Sequence, residues 1–304
     1  MSTIKRKWVP YIFLSPYILL YVTFGFIPIL FSLYVSFTSW DGIKDKTFIG
    51  LDNYIFLFNP DSYFFKSVGN TLLFIVMTLP FQMLFGLFIA SLLYSRFVKW
   101  KGFYQLVNFL PYIVTPVAVG LMFNLLFDWQ TGFVNKVLVL FGWVSEEIYW
   151  LGEPGYARFV IALMLFWKGF GYTMVFFLAG LANIPRDLYE AAQVDGASAF
   201  DMFLRITMPL LKPVITFVLI TGIIGGFQLL EEPMLLLGGF GGGGSAVIGG
   251  PDRCCLTTVW NMYDTAFGST TRYGLGSAIA YGLCMIIALA SVTGYKFLNR
   301  GEQE

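Results

Sequence analysis

Six long apolar runs are strung along the chain: residues 11–37, 68–95, 105–127, 159–182, 214–230 with an extension through 237, and 273–298. Each is long enough to cross ~30 Å of hydrocarbon as a helix. The runs are continuous rather than alternating between apolar and polar, which excludes a β-barrel. The pattern predicts an all-α integral membrane protein with six transmembrane helices. Lys5, Arg6 and Lys7 precede the first run in the manner of a signal peptide. The run is far longer than the ~7–15 apolar residues of such a peptide, and no small-x-small cleavage site follows it. An uncleaved first span is expected, kinked at Pro16 and Pro28.

Between the fourth and fifth runs lies a polar, helix-forming segment, residues 183–213. Pro185 stops what precedes it, and residues 186–194 carry good helix formers. Gly196 stands where a helix needs a left-handed exit residue. Ser198 followed by Asp201 fits a capping box with Asp in place of Glu, so a second helix starts there. Asp201 and Arg205 are spaced to pair on one face, and Pro209 and Pro213 are expected to end that helix. The prediction is a helix–turn–helix with a small-residue elbow at Gly196, Ala197 and Ser198, open to close approach by a partner.

Charge then sets the orientation. Lys5, Arg6 and Lys7, then Arg96, Lys99 and Lys101, then Arg186, Arg205 and Lys212, and finally Lys296 and Arg300 all fall on one side if every run spans. Residues 1–10 and 299–304 are therefore expected in the cytoplasm, with a membrane region over 11–298 whose 183–213 segment is also cytoplasmic. Only 12% of residues are charged, against about a quarter in soluble domains, so lipid is the main surrounding. A net charge of +1 argues against nucleic acid as a partner. Cys254, Cys255 and Cys284 make neither a disulfide framework nor a metal spacing, and no metal or cofactor is called for.

Two stretches inside the runs are polar enough to carry a site. Lys168 lies near the middle of the fourth run, within WKGFGY. A lysine there is costly, and about 15 Å of helix separates it from the nearer end, too far for easy snorkelling. It is read as facing a cavity, and Trp167 beside it fits equally a flat face for a ring-shaped ligand and an ordinary buried or interfacial tryptophan. In the fifth run Gly225, Gly226, Phe227 and Gln228 interrupt the apolar pattern. They fit a kinked, ligand-approaching backbone with an amide for hydroxyl groups, or equally a packing seam of small residues. Glu231 and Glu232 are taken as a solvated outer boundary. The Gly-rich run 238–252 lacks the Lys-Ser or Lys-Thr of a phosphate loop and reads as a flexible external loop. With no histidine, no nucleophile elbow and no phosphate loop, the chain is not expected to be an enzyme.

Glu190-Ala191-Ala192, then Gly196, Ile206 and Met208-Pro209 resemble the docking loop of permease subunits of bacterial ATP-binding-cassette importers, with Met208 in place of the usual leucine. The first span and its loop, SPYILLYVTFGFIPILFSLYVSFTSWDG and FIGLDNY, resemble the sugar-type branch of those permeases, and the Gly-rich run looks like a longer form of that branch's outer loop. The resemblance implies a type I importer permease fold in a bacterial inner (plasma) membrane. It implies ATPase docking by Glu190, Ala191, Ala192, Asp195, Gly196, Ala197, Ile206 and Pro209, and a substrate path through Trp167, Gly169 and Gln228, to which the mid-run position of Lys168 adds a fourth residue. The implied partners are an ATP-binding subunit in two copies, a second permease subunit, an extracytoplasmic solute-binding protein and membrane lipid, and the implied solute is a carbohydrate. The alternative is an ATPase-independent secondary transporter or channel. That would call for titratable groups in several spans, and Lys168 alone is clearly so placed.

Overall fold

The computed structural model describes residues 3–43, 45–95, 98–237 and 247–299. Arg96 and Arg300 of the charge pattern, the end of the 299–304 stretch and residues 238–246 of the Gly-rich run lie outside the described residues. In chain order, α1 (Thr3–Tyr21) and α2 (Ile27–Ser36) flank a π turn at Val22–Phe26. Two short strands follow, β1 (Thr38–Ser39) and β2 (Thr47–Phe48), paired antiparallel with Thr38 opposite Phe48. Next come α3 (Asp52–Phe56), α4 (Phe64–Tyr94), α5 (Lys101–Ile113), α6 (Pro116–Leu126), α7 (Phe133–Leu140) and α8 (Pro154–Ala182). After α9 (Arg186–Val194) and α10 (Ala199–Met202), a second π turn (Phe203–Thr207) leads into α11 (Met208–Phe227). The chain then forms α12 (Glu231–Leu237), α13 (Thr258–Phe267) and α14 (Tyr273–Asn299).

Among the described residues, five helices are long and apolar enough to cross a membrane: Val9–Ser36, Phe64–Tyr94, Pro154–Ala182, Ala199–Phe227 and Tyr273–Lys296. The third run departs from expectation. It is not one helix but α5 and α6, bent by 91° to one another, and it makes a sixth span only as a broken one. Val114 and Thr115 between them are both extended, with ψ of 137° and 141°. Thr115 precedes Pro116, whose ring disfavours the helical conformation for the residue before it. The fifth run also ends sooner than its apolar extension implied. α11 stops at Phe227, and the chain restarts as α12 at Glu231.

Two prolines expected to end a helix do not. The helix that starts at Ala199 runs through Pro209 and Pro213 to Phe227. At Pro209 the π turn makes this possible, because the Met208 N–H reaches back five residues to the Phe203 carbonyl, widening the helix one residue before the proline; Pro213 lies within regular α-helix. A proline in a regular α-helix would clash with the carbonyl four residues back and orphan it. The same device recurs in the first span, where the Ile27 N–H bonds to the Val22 carbonyl just ahead of Pro28. There the expected irregularity appears as a π turn before Pro28, while α1 continues as regular helix through Pro16.

The chain divides into two compact units. One comprises residues 1–65 and 261–284. Its interior holds Val35, Leu57, Phe64 and Ile279, and it is stitched by Asn53, whose amide donates to the carbonyls of Ser36 and Thr38 at 2.9 Å each. The other comprises residues 66–260 and 285–304. Its core is built where α4, α8 and α11 meet, around Ala90, Met174, Phe177, Leu181, Leu211 and Val218. Gly222 and Gly226 let α11 lie directly on α4, since a Cβ on either would collide with Leu79 or Ile75 respectively. Of the two readings open for the glycines of the fifth run, Gly226 takes the packing seam, whereas a Cβ on Gly225 would meet nothing within 4 Å. Phe13, Leu19 and Phe24 on α1 and its π turn stay exposed, at 82%, 65% and 76%, a surface suited to hydrocarbon rather than water.

Gly226→Val should force α11 off Ile75 and lower the melting temperature of the detergent-purified protein, at a cost of about 1–3 kcal/mol. Gly225→Ala should leave it unchanged. Equal melting temperatures for Gly226→Val and the parent would contradict the seam.

Candidate functional site

A cavity of about 680 Å³ opens among α4, α8 and the end of α11. α8 presents Lys168 and Gly169 to it, α4 presents Thr78 and Gln82, and the break after α11 presents Gln228. Gly169 gives the Gln82 amide its place: a Cβ there would run into the end of that side chain, whose amide nitrogen donates to the Leu165 carbonyl at 2.8 Å. Gln228 ends α11, its N–H bonding back to Ile224 and Gly225, and its side chain is exposed to the cavity. Three of the four path residues expected from the sequence thus border one space. The fourth does not: Trp167 turns the other way and packs on Phe123 of α6, ring centroids 5.9 Å apart.

Glu232 was expected at a solvated boundary. Instead its Oε1 lies 2.6 Å from Lys168 Nζ, and both side chains are only 14% exposed. The reason is the early end of α11, after which α12 begins at Glu231 and places Glu232 against Lys168 of α8. Burial of an uncompensated ammonium is expensive, and this carboxylate supplies the compensation. Glu231, next in line, is exposed and also borders the cavity. A lone cation midway along an apolar helix signals such a partner, but the partner's position depends on a break in α11 that hydropathy does not reveal.

The polar segment folds as predicted in its first half. α9 ends in a Schellman turn: Gly196 has φ +78°, the Ala197 N–H bonds to the Ala192 carbonyl at 2.9 Å and the Gly196 N–H to the Gln193 carbonyl at 3.1 Å. Ser198 caps the next helix, its Oγ accepting from the Asp201 N–H at 3.1 Å while donating to the Asp201 carboxylate. Arg205 stands 4.0 Å from Asp201, both exposed. Glu190, Ala191, Asp195 and Gly196 are exposed, and Ala192 and Ala197 half-buried. Leu188, Val194 and Phe200 add apolar surface around them, at 43%, 88% and 70% exposure. α9 is tied down from beneath. Ile184 is buried in the core, Tyr189 and Ile206 pack on it, and Tyr189 hydroxyl meets Thr207 Oγ1 at 2.8 Å. Pro209 lies exposed beyond the π turn.

Two other polar features were not read from the sequence. A cavity of about 750 Å³ in the other unit is bordered by Thr38, Trp40, Asp41, Asp52 and Arg272, and none of the expected site residues touches it. Cys254 and Cys255 are buried with their sulfurs 3.3 Å apart. The contact between the two thiols lowers the pKa of Cys254, while the same contact and burial raise that of Cys255. Among the described residues no group of His, Cys, Asp and Glu is arranged to hold a metal ion.

Residues 82–299 match the family described as the inner membrane component of binding-protein-dependent transport systems. The chain belongs to this family. The matched span contains every residue of the cavity pair and of the α9 turn. The permease is 32% identical over 302 residues to the probable ABC transporter permease protein YurN of Bacillus subtilis (strain 168), covering 99% of both chains. It is 33% identical to the lactose transport system permease protein LacF of Rhizobium radiobacter, covering 95% of this chain and 94% of that one. Its fold superposes on a crystal structure of a bacterial ABC transporter involved in the import of the acidic polysaccharide alginate, with a TM-score of 0.81 at 23% identity, covering 98% and 97% of the two chains. The protein is therefore a multi-pass inner-membrane permease of an ABC importer, a transport component and not an enzyme. This decides against the secondary transporter or channel that the sequence left open.

The Lys168–Glu232 pair should show in a double-mutant cycle. Lys168→Met and Glu232→Gln should each lower the melting temperature, and the double variant should recover part of the loss, with a coupling above about 1 kcal/mol. Strict additivity would mean that the two groups do not interact.

Proposed function

We propose that this permease forms the path for a carbohydrate delivered by an extracytoplasmic binding protein. A second permease subunit completes the membrane unit, and two copies of a separate ATP-binding subunit drive it. Carbohydrate fits the solute named for LacF. It also fits a cavity whose lining mixes amides and hydroxyls, among them Gln82, Gln228, Thr78, Thr221 and Tyr112, with apolar walls. Lys168, Gly169 and Gln228 are the path residues in this reading, while Trp167 supports the wall from behind. Residues 11–298 form the membrane region, and residues 1–10 and 299–304 face the cytoplasm.

The α9 turn is proposed as the cytoplasmic docking surface for the ATPase. Glu190, Ala191, Ala192, Asp195, Gly196 and Ala197 form its contact face, and Ile206 and Pro209 its base. One observation carries this reading: Ala199–Phe227 is a single 29-residue helix. It begins three residues after Gly196 and ends beside Gln228, so movement of the turn reaches the cavity along one continuous helix. The exposed Leu188, Val194 and Phe200 around the turn offer an apolar surface of the kind that buried interfaces use.

Reconstitution of the complex in vesicles tests this reading by ATPase rate and by uptake of labelled neutral oligosaccharides. A Cβ on Gly196 meets nothing within 4 Å, so a side chain there stands in the space a partner would fill and strains the left-handed turn. Gly196→Asp should abolish most coupled uptake while the subunit still inserts. Glu190→Ala should cut it only severalfold, since an exposed ion pair contributes about 1 kcal/mol or less. A cysteine at Ser198 should label from the ATPase side. Normal coupled uptake in Gly196→Asp would remove the role assigned to the turn.

A further inference from the structure

We infer that the cavity beside Lys168 discriminates by charge, passing uncharged carbohydrates and excluding anionic ones such as uronates and sugar phosphates. The inference rests on the proposed solute path and adds its chemical selectivity. Among the described residues, three charged side chains border the cavity: Lys168, Glu231 and Glu232. The one cation is already engaged, with Lys168 Nζ 2.6 Å from Glu232 Oε1. Glu231 is exposed on the same border, which leaves the cavity with one negative charge in excess. A charge in a cleft with low-dielectric walls focuses its field into the space between them, changing local ion concentrations tenfold or more. An incoming carboxylate or phosphate meets that field and finds no unpaired cation among the described residues that line the cavity. Displacing Glu232 from Lys168 would strand a carboxylate in a half-buried position, which is itself costly. A neutral sugar meets neither penalty, because Gln82, Gln228 and Thr221 recognise hydroxyl groups without charge. Lys168 and Glu232 are thus selectivity residues acting as a pair: the lysine does not attract anions because its partner holds it.

The test needs no knowledge of the natural solute. Gln228→Cys is introduced with Cys284→Ala, the buried Cys254 and Cys255 being retained, and the purified transporter complex is placed in nanodiscs. Three thiol reagents are compared, one neutral (methyl methanethiosulfonate), one cationic (the trimethylammonium-ethyl form) and one anionic (the sulfonatoethyl form). Mass spectrometry assigns the modification to position 228, and rates are normalised to a free thiol. The neutral reagent should react readily, and the cationic reagent should outpace the anionic one by about tenfold or more. Glu231→Gln should bring the two charged rates to near parity, and Glu231→Gln with Glu232→Gln should invert them by freeing Lys168. Should the paired variant fail to assemble, Glu231→Gln alone still decides, because Glu231 is exposed and outside the ion pair. Thr221→Cys gives a second reporting position. Ready reaction of the neutral reagent with no preference between the charged ones overturns this inference alone. No reaction with any of the three overturns the solute-path reading and this inference with it.

Discussion

Hydrocarbon offers no hydrogen bonds, so every backbone N–H and C=O in a spanning segment must find its partner within the protein. The long apolar helices answer that constraint, and their irregularities fall at a few defined positions. Ahead of Pro28 and of Pro209, an N–H reaches back five residues instead of four. At Thr115–Pro116 the chain leaves the helix altogether for two extended residues. After Phe227 the fifth segment ends, with Gln228 closing its last turn. π turns and broken helices often mark functional positions. Here one π turn lies under the α9 turn, and the break after Phe227 opens onto the cavity.

These two places are the ends of one object. The helix Ala199–Phe227 leaves the Schellman turn at Gly196, crosses the core where Leu211 and Val218 are buried, and delivers Gln228 to the cavity. The Tyr189–Thr207 hydrogen bond fastens α9 to its first turns. Displacement of α9 therefore bears on the helix at the π turn, where the backbone is already widened. The glycine seam of Gly222 and Gly226 against α4 guides the far end. Nothing between the proposed docking face and the proposed path relies on a flexible loop.

The apolar runs, the helix–turn–helix and the left-handed Gly196 were legible because each depends on local sequence: hydropathy over a span's length, capping chemistry, and one residue without a Cβ. The irregularities were less so. Thr115–Pro116 and Met208–Pro209 both place a proline inside an apolar run, yet one breaks the span and the other is absorbed by a π turn; the difference lies in what each segment packs on, not in the dipeptide. Lys168 was readable as a cost requiring compensation. Its partner Glu232 was not, because the pair is 64 residues apart and forms only once α11 has ended early. Trp167 shows the converse limit. Next to Lys168 in sequence, it points to α6, since neighbouring residues on a helix face different directions. Family membership bears out the importer-permease resemblance that the motifs at residues 190–209 and in the first span already carried.

The claim that the helix Ala199–Phe227 carries motion rigidly from the α9 turn to the cavity can be measured with spin labels at Ser198→Cys and Gln228→Cys in the assembled complex, by pulsed dipolar spectroscopy with and without trapped ATP. At 1.5 Å per residue the backbone positions should stand about 45 Å apart. The account predicts the same distance in both states, while a second pair at Gln82→Cys and Gln228→Cys, spanning the cavity, changes on nucleotide binding. A Ser198–Gln228 distance that shifts by more than about one helical turn, ~5 Å, would show that the helix yields rather than transmits, and would contradict it.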